Sequence, residues 1–383
     1  MRQSAKFYFL AILFNCIATL AFTQNPIMNV MRNALDTVSQ RFLLPGITAT
    51  IITNEGKVYH TAMGYADSVT KLPMQTNTRL LGGSTGKMYF SIAIMQLQEL
   101  GKIDLDRKAI DYLGHLSWFK RVPNSEHFTV RHLLNHSAGV QEYYRLGNFF
   151  EKAMADPEKK WTHEELIGFT FDKEPLFTAG NGFSYADTHY LILELIIQKL
   201  TGKTAYEYIQ QNIIQKAGLQ VTIPSVSRVI PNLANGYSNP KLPSKVDGPM
   251  IRNGKLIVDP AFEGGGGGFA TCSDDLAMLV HQLMQGKLVN STSLTEMKKK
   301  NPATGQAGRN QFYALGLQGV VVNGDTAYGH SGWFPGYMSD VLHFSNGGFT
   351  IAVQYNTDMS PMGAIQPRDI ILRIYRNLIL PKN

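Results

Sequence analysis

The chain of 383 residues is 44% hydrophobic and 17% charged, and it contains no low-complexity tract. This composition excludes a disordered or fibrous protein and leaves enough apolar material for one large domain or two closely packed lobes. The net charge of +7 comes from scattered residues, apart from a short run at Lys298-Lys299-Lys300. We therefore expect no nucleic-acid partner, because such a partner requires clustered basic residues.

The first residues carry a targeting pattern. Arg2 and Lys6 precede an apolar run over 7–22 that ends before Thr23, which is typical of a secretory signal peptide. We predict a signal peptide over 1–23 and an exported protein, periplasmic or secreted; the alternative is an uncleaved membrane anchor. No later segment of the sequence is long and apolar enough to span a bilayer, so membrane contact is expected through this segment alone.

Cysteine usage sets a further limit. Cleavage of the signal would remove Cys16 and leave Cys272 as the single cysteine, so no internal disulfide is expected. Cys272 precedes a predicted helix start, and we interpret it as a buried small residue rather than as a catalytic thiol.

Hydrophobic periodicity predicts three blocks of secondary structure along the chain. A helix over 27–43 is followed by a β-hairpin that turns at Glu55-Gly56. Helical patterns dominate the middle block, and antiparallel strands followed by a helix end the chain. The later predicted elements are helices over 84–100, 189–200 and 204–217, a helix that begins at Ser273, three strands within 312–358 with turns at Asn323-Gly324 and Asn346-Gly347, and a helix over about 362–379.

This order predicts an α/β (α+β) fold. One antiparallel sheet would be assembled from both ends of the chain, about 24–80 and 300–383, and flanked by the N- and C-terminal helices. Residues of about 84–290 would form an inserted all-helical lobe of the same domain, which comprises 24–383. A cleft between the two lobes is the expected place for a site.

The stretch LGGSTGKMYF at 81–90 supports two interpretations. A phosphate-binding loop needs a glycine five residues before Gly86 and a hydroxyl residue after Lys87, but Leu81 and Met88 stand at these positions. That interpretation is excluded. The other is a Ser-x-x-Lys pair, Ser84 and Lys87, in which a lysine one helical turn away activates a serine nucleophile.

Ser-x-x-Lys occurs four times in the chain, and helical context separates the four. The other pairs are Ser68/Lys71, Ser117/Lys120 and Ser238/Lys241, and a proline follows or interrupts each of them. Ser84 leads into apolar positions at helical spacing that stop at Gly101. On this segment alone, a capping serine with a surface lysine remains an equal alternative.

Two later motifs favour the catalytic interpretation. Tyr185-Ala186-Asp187 and His330-Ser331-Gly332 follow Ser84 in order, and the stretches PGITATII, FTVRHLLNHSAG, FSYADTHYLILELIIQKLTG and GGGGFATCSDDLAML accompany them. With these motifs the chain resembles, over roughly 27–380, the serine β-lactamase and penicillin-binding DD-peptidase superfamily. The resemblance is to its class C-like branch, which also holds esterases and D-amino-acid peptidases.

The resemblance implies an acyl-enzyme mechanism without metal or cofactor. Ser84 would attack a carbonyl, and Lys87 or Tyr185 would accept its proton. The backbone N–H groups of Ser84 and Trp333 would stabilise the oxyanion. The residues expected to bind the substrate are Asp187, His330, Ser331 and Gly332.

Two positions depart from the family pattern. Asp187 stands where the family has asparagine, and a carboxylate accepts hydrogen bonds where an amide can donate. The alternative for Asp187 is a helix N-cap. His330 stands where the family has lysine, so it would hold a substrate carboxylate only in its protonated form; the alternative is a structural residue at a strand end.

These departures favour a DD-peptidase, D-amino-acid peptidase or esterase over an efficient β-lactamase. The alternative from another class is a penicillin-recognising binding or sensor module that acylates slowly or not at all. The expected partner is a small-molecule or peptide substrate, and the sequence leaves the oligomeric state open.

Other motifs are interpreted structurally. His163-Glu164-Glu165 lacks the second histidine of a zinc-protease helix, and His132 and His136 are expected to pack. The glycine run 264–268 is expected to allow close backbone packing. Trp333 and Phe334 would line an acyl pocket or belong to the core.

Overall fold

A computed structural model describes residues 25–242, 244–306, 311–358 and 365–379. The predicted signal peptide and the first residues of the predicted C-terminal helix lie outside this description. The α-helices are α1 (Pro26–Phe42), α2 (Lys87–Glu99), α3 (Ile110–Leu113), α4 (Val130–Leu134), α5 (Phe149–Ala155), α6 (His163–Gly168), α7 (Asp187–Thr201), α8 (Ala205–Ile209), α9 (Gln215–Ala217), α10 (Ser273–Met284), α11 (Ser291–Met297) and α12 (Pro367–Ile379). No helix in these ranges has the length and apolar character needed to cross a membrane.

Strands and tight helical turns complete the described chain. The strands are β1 (Gly46–Ile52), β2 (Val58–Asp67), β3 (Leu72–Pro73), β4 (Leu80–Leu81), β5 (Ile223–Pro224), β6 (Tyr237–Ser238), β7 (Gly248–Pro249), β8 (Ile251–Arg252), β9 (Lys255–Leu256), β10 (Phe269–Thr271), β11 (Gln311–Tyr313), β12 (Gln318–Val322), β13 (Asp325–Phe334), β14 (Tyr337–Phe344) and β15 (Phe349–Tyr355). The 3₁₀ turns are Gly83–Gly86, Phe119–Arg121, Tyr143–Arg145, Pro260–Gly266 and Pro302–Gln306, and a π turn at Gln210–Ile214 joins α8 to α9.

An eight-stranded antiparallel sheet joins the two ends of the chain. Its strand order is β11-β12-β13-β14-β15-β1-β2-β3, and β1 pairs with β2 on one side and with β15 on the other, where Ile47 faces Tyr355. The hairpin at Glu55-Gly56 therefore forms as predicted. The α/β (α+β) fold class, with one sheet assembled from both ends, is confirmed.

Alternation along β1 explains how both faces of the sheet are covered. Ile47 and Ile51 belong to a core that packs under α1 and α12, while Thr50, on the other face, bonds Ser273 Oγ at 2.9 Å at the start of α10. Successive side chains of a strand point to opposite faces, so β1 is buried on both sides, and the hydroxyl of Thr50 is hydrogen-bonded inside the protein. The helix α1 begins where Asn25 Oδ1 accepts from the N–H of Ile27.

The strand count near the C-terminus differs from the prediction. The stretch 312–358 was expected to hold three strands, but it holds β12, β13, β14 and β15 and the last two residues of β11. The additional turn is Pro335-Gly336, where Gly336 has a φ of +83°. A proline-glycine pair is a turn signal, so the expected long middle strand is two strands that pair with each other.

The inserted region is built around α2. This helix is buried at Met88, Ile92 and Met95, and it packs against α7 and α8. Besides its helices, the insertion carries short strands: β4, β10 and β5 form a small sheet, and β6 to β9 form two hairpin-like pairs. The candidate site lies where the start of α2 meets β13 of the large sheet.

Candidate active site

The nucleophile candidate Ser84 sits in the 3₁₀ turn that leads into α2. Backbone atoms of this turn lie directly against β13: a Cβ on Gly83 would be 2.4 Å from Trp333 O, and one on Gly332 would be 1.9 Å from Gly82 O. Only glycine permits such an approach, and Gly83 also has a φ of +53°. The turn and the strand therefore hold Ser84 and Trp333 at the same cavity.

Lys87 is fully buried and completes its hydrogen bonding inside the protein. Its Nζ lies 3.0 Å from Ser84 Oγ, 2.5 Å from Asp187 Oδ1 and 2.5 Å from Gly266 O. An ammonium has three N–H donors, so these three partners use all of them. The surface-lysine alternative for this position is thereby removed.

The glycine run brings a backbone carbonyl to this lysine. A Cβ on Gly86 would lie 1.6 Å from Gly267 O, and one on Gly266 would lie 2.7 Å from Asp187 Cβ. Side chains larger than hydrogen would separate the run from α2 and α7. The predicted close packing of residues 264–268 is confirmed.

Tyr185 covers the lysine with its ring. The ring centroid is 4.7 Å from Lys87 Nζ, which is a cation–π distance. The Tyr185 hydroxyl has no hydrogen bond of good geometry among the described residues, although Ser84 lies near enough to lower its pKa slightly. Burial, followed by the charge of Asp187, dominates and raises the pKa of Tyr185 well above its usual value.

Asp187 forms the ion pair with Lys87 and does not cap its helix with its side chain. It is the first residue of α7, after Ala186, and the helix start shows no side-chain cap. Its own N–H donates to Glu142 Oε2 at 2.6 Å. The carboxylate replaces the amide expected from the family pattern, and it binds the lysine directly.

A cavity of about 300 Å³ opens in front of these groups. Ser84, Tyr185, Asp187, Ser331 and Gly332 line it, and its apolar wall consists of Tyr144, Phe150, Phe262, Trp333 and Phe334. A second cavity of about 440 Å³ adjoins it and shares Tyr185, Gln318 and Ser331. Trp333 and Phe334 thus line the pocket.

His330 does not reach this cavity. It is fully buried, with Nδ1 2.6 Å from Ser331 O and Nε2 2.9 Å from Tyr313 Oη. Because a carbonyl oxygen only accepts, Nδ1 carries the proton and Nε2 accepts from the tyrosine. Burial, then Lys87, lowers the pKa of His330 to about 3, so the expected role of an imidazolium that holds a substrate carboxylate lacks geometric support.

Ser331 faces the cavity from the same strand. Gln318 Oε1 accepts from both Ser331 N and Ser331 Oγ, at 3.2 and 3.0 Å. The same oxygen accepts from Arg368 Nη2 at 2.6 Å, and the Arg368 guanidinium forms a bidentate pair with Asp340. Arg368, which contacts the same glutamine as Ser331, is therefore committed to a buried carboxylate.

Two acidic residues near the site were not predicted. Glu142 and Glu263 are buried, and Glu263 lines the cavity. Burial, then the charge of Asp187, raises the pKa of both, well above its usual value for Glu142 and to about 8 for Glu263. The sequence offers one signal for them: Glu263 directly precedes the glycine run 264–268.

The remaining candidates have structural positions. Cys272 is buried at the start of α10, and burial raises its pKa to about 12, which disfavours a thiolate. His163 lies 3.0 Å from Glu194. His132 belongs to the capping box of α4, and His136 packs against the ring of Tyr185.

Comparison with known proteins identifies the family of the chain and relatives of similar sequence. The family model described as Beta-lactamase matches residues 32–374. Penicillin-binding protein 4* of Bacillus subtilis (strain 168) is 28% identical over 193 residues, which cover 49% of this chain and 40% of the relative. D-aminopeptidase of Brucella anthropi is 23% identical over 336 residues, which cover 86% of this chain and 59% of the relative. The chain thus spans less than two thirds of the length of these two relatives.

A solved structure has the same fold. The D-stereospecific amidohydrolase from Streptomyces sp. superimposes with a TM-score of 0.78 at 24% identity, covering 90% of this chain and 97% of that one.

Proposed function

The chain belongs to the β-lactamase family, a family of serine hydrolases, and we propose that it hydrolyses amide or ester bonds of small D-amino-acid derivatives or peptides through an acyl-enzyme on Ser84. The observation that carries the proposal is the contact of Ser84 Oγ with the buried Lys87 Nζ at the wall of a cavity. The names of the relatives, a D-aminopeptidase and a D-stereospecific amidohydrolase, support the substrate class.

The geometry favours Lys87 over Tyr185 as the proton acceptor. After loss of one proton, Nζ keeps two N–H groups for Asp187 and Gly266 and directs its lone pair at Ser84 Oγ. Ser84 then gives its proton to Nζ as its oxygen bonds to the substrate carbonyl carbon. A buried phenol with a raised pKa is a poor base in the resting state.

The remaining steps follow from the acyl-enzyme. The N–H groups of Ser84 and Trp333, two residues that line the cavity, are the proposed donors to the developing oxyanion, and one such donor typically contributes about 3 kcal/mol to the transition state. The proton on Lys87 passes to the leaving amine or alcohol as its bond to the carbonyl carbon breaks. Water then attacks the ester, gives a proton back to Ser84 and releases the acid.

One observation supports a second candidate, a penicillin-recognising module that acylates slowly. Lys87 Nζ forms an ion pair with the Asp187 carboxylate at 2.5 Å, and an ammonium held in an ion pair has no lone pair with which to accept the proton of Ser84. Slow accumulation of the acyl-enzyme with a chromogenic β-lactam, without a rapid pre-steady-state burst and without appreciable turnover, would favour this candidate over an efficient peptidase or esterase.

Turnover of enantiomeric substrates tests the first candidate. The D and L forms of phenylalanine p-nitroanilide should be hydrolysed with a clear preference for D, and Ser84→Ala should abolish the activity. Ser117→Ala is the matched control, because Ser117 is the exposed serine of another Ser-x-x-Lys sequence. Equal activity of Ser84→Ala and the wild type contradicts the proposal.

Export and the class of partner belong to the same proposal. The charged and apolar residues over 1–23 support secretion. A secreted or periplasmic form that begins near residue 24, found by N-terminal sequencing, would agree; a full-length form in the cytosol would not.

A further inference from the structure

We infer that Glu263 binds the ammonium group of the substrate. The site would therefore select substrates that carry a free amino group beside the scissile carbonyl, and it would disfavour substrates that carry a free carboxylate. The inference rests on the proposed function, since it names the substrate class of that site. Three observations support the binding of an ammonium group: the position of Glu263, the ion pairs that already occupy the nearby cations, and the apolar character of the cavity wall.

Glu263 has an uncommitted carboxylate at the cavity. It lines the same 300 Å³ space as Ser84 and is 5% exposed. Among the described residues, its one hydrogen bond is from Gly268 N to Oε2 at 3.4 Å, which is long. A Cβ on Gly267 would lie 2.3 Å from Oε1, so the glycine leaves the space that this carboxylate occupies.

The charges around the cavity favour a cation. Its described lining contains two acids, Asp187 and Glu263, and no lysine, arginine or histidine. Lys87 lies behind the wall, where Asp187 and two other acceptors use its donors. Arg368 is paired with Asp340. A substrate carboxylate would find no free partner among these groups, whereas an ammonium would find Glu263.

The surroundings strengthen such a contact. Phe262, Phe150 and Trp333 form the adjacent wall, and an apolar wall lowers the local dielectric, which makes a charge-assisted hydrogen bond stronger than in water. Aromatic faces also attract an ammonium directly. The binding chemistry therefore fits a primary amine on a small apolar group.

The pKa of Glu263 agrees with this role. Burial and then the charge of Asp187 raise the pKa of Glu263, the hydrogen bond from Gly268 and the charge of Lys87 lower it, and the resulting pKa is about 8; the neutral phenols of Tyr143 and Tyr206 also lie close to the carboxyl. In the empty site at pH 7 the carboxyl is mostly protonated, so it carries little uncompensated charge. An adjacent ammonium favours ionisation of Glu263, so ligand binding releases a proton and tightens as pH rises from 6 to about 7, where an α-amino group is still mostly protonated.

Binding to Ser84→Ala tests the inference without requiring catalysis. D-phenylalaninamide and 3-phenylpropionamide differ in the ammonium group alone, and calorimetry measures the affinity of each. We expect D-phenylalaninamide to bind at least about tenfold more tightly at pH 7, as for a hydrogen bond to a charged group, with a smaller preference at pH 6.

Two matched variants test whether Glu263 causes the preference for D-phenylalaninamide. Adding Glu263→Gln should abolish the preference, while Glu126→Gln, which removes an exposed carboxylate of equal charge, should leave it intact. Equal affinities for both ligands, or a preference unchanged by Glu263→Gln, overturn the inference. Because the experiment measures binding and not turnover, these results do not depend on whether Ser84 is the nucleophile.

Discussion

Replacing Gly86 by alanine tests whether the contact between the nucleophile turn and the glycine run positions Lys87. Gly86 has a φ of −58°, so alanine is compatible with its backbone. The new Cβ, however, would lie 1.6 Å from Gly267 O, where about 3.5 Å is an ordinary contact. One of the two backbone segments must therefore move by about 2 Å.

This displacement has separate effects on stability and on rate. Inserting a methyl group into a packed seam typically costs about 1–3 kcal/mol in the free energy of unfolding. Gly266 O accepts from Lys87 Nζ, so movement of the run also shifts the candidate base. A misplacement of about 1 Å costs roughly 100-fold in rate, and we expect acylation to fall at least that far.

A matched glycine provides the control. A Cβ on Gly168, at the end of α6, would lie 3.5 Å from the Phe171 ring, so Gly168→Ala should retain stability and activity. Urea unfolding and the rate of labelling by a fluorescent penicillin measure the two effects. Wild-type values of both for Gly86→Ala would refute the role given to this contact.

Three further outcomes follow from the same structure. Lys87→Ala should reduce acylation by about 10²–10⁴-fold, measured by stopped-flow labelling, and full activity would remove Lys87 as the base. The folded-state pKa of His330, about 3, lies below the unfolded value of about 6.5. The contribution of His330 to the free energy of unfolding is therefore present above pH 6.5. It is lost as pH falls toward 3, by up to about 1.4 kcal/mol per pH unit. Urea unfolding of a folded His330→Asn variant from pH 7 to 4 should show a smaller decrease of the free energy of unfolding with pH than the wild type shows. An unchanged decrease would contradict this role of His330. Arg368→Ala should cost about 3–5 kcal/mol because Asp340 would be left buried without its partner, and a loss below 1 kcal/mol in the same assay would show that the pair is not needed.

The sequence was sufficient to predict the elements that have strong local signals. Glu55-Gly56 and Asn323-Gly324 lie between alternating apolar residues, and both turns form where predicted. Pro335-Gly336 carried a comparable signal, but the strand pattern continues on both sides of it, so the turn was missed. Local turn chemistry thus outweighs the continuity of a β pattern.

The site residues also differ in whether a local sequence pattern indicates their position. Ser84 and Lys87 are one helical turn apart, so their contact follows from local geometry. The faces of β13 could not be assigned: neighbouring side chains of a strand point to opposite sides, so His330 and Ser331 cannot both face the cavity, and the sequence does not indicate which one does. Glu142 and Glu263 reach the site through long-range packing, for which no local pattern exists.

Covalent trapping tests the central claim most directly. After incubation of the wild-type protein with a β-lactam or a fluorophosphonate, peptide-resolved mass spectrometry should locate a single adduct on Ser84, and the adduct should be absent from Ser84→Ala. An adduct on another serine, or none despite measurable hydrolysis, would contradict the assignment of the nucleophile.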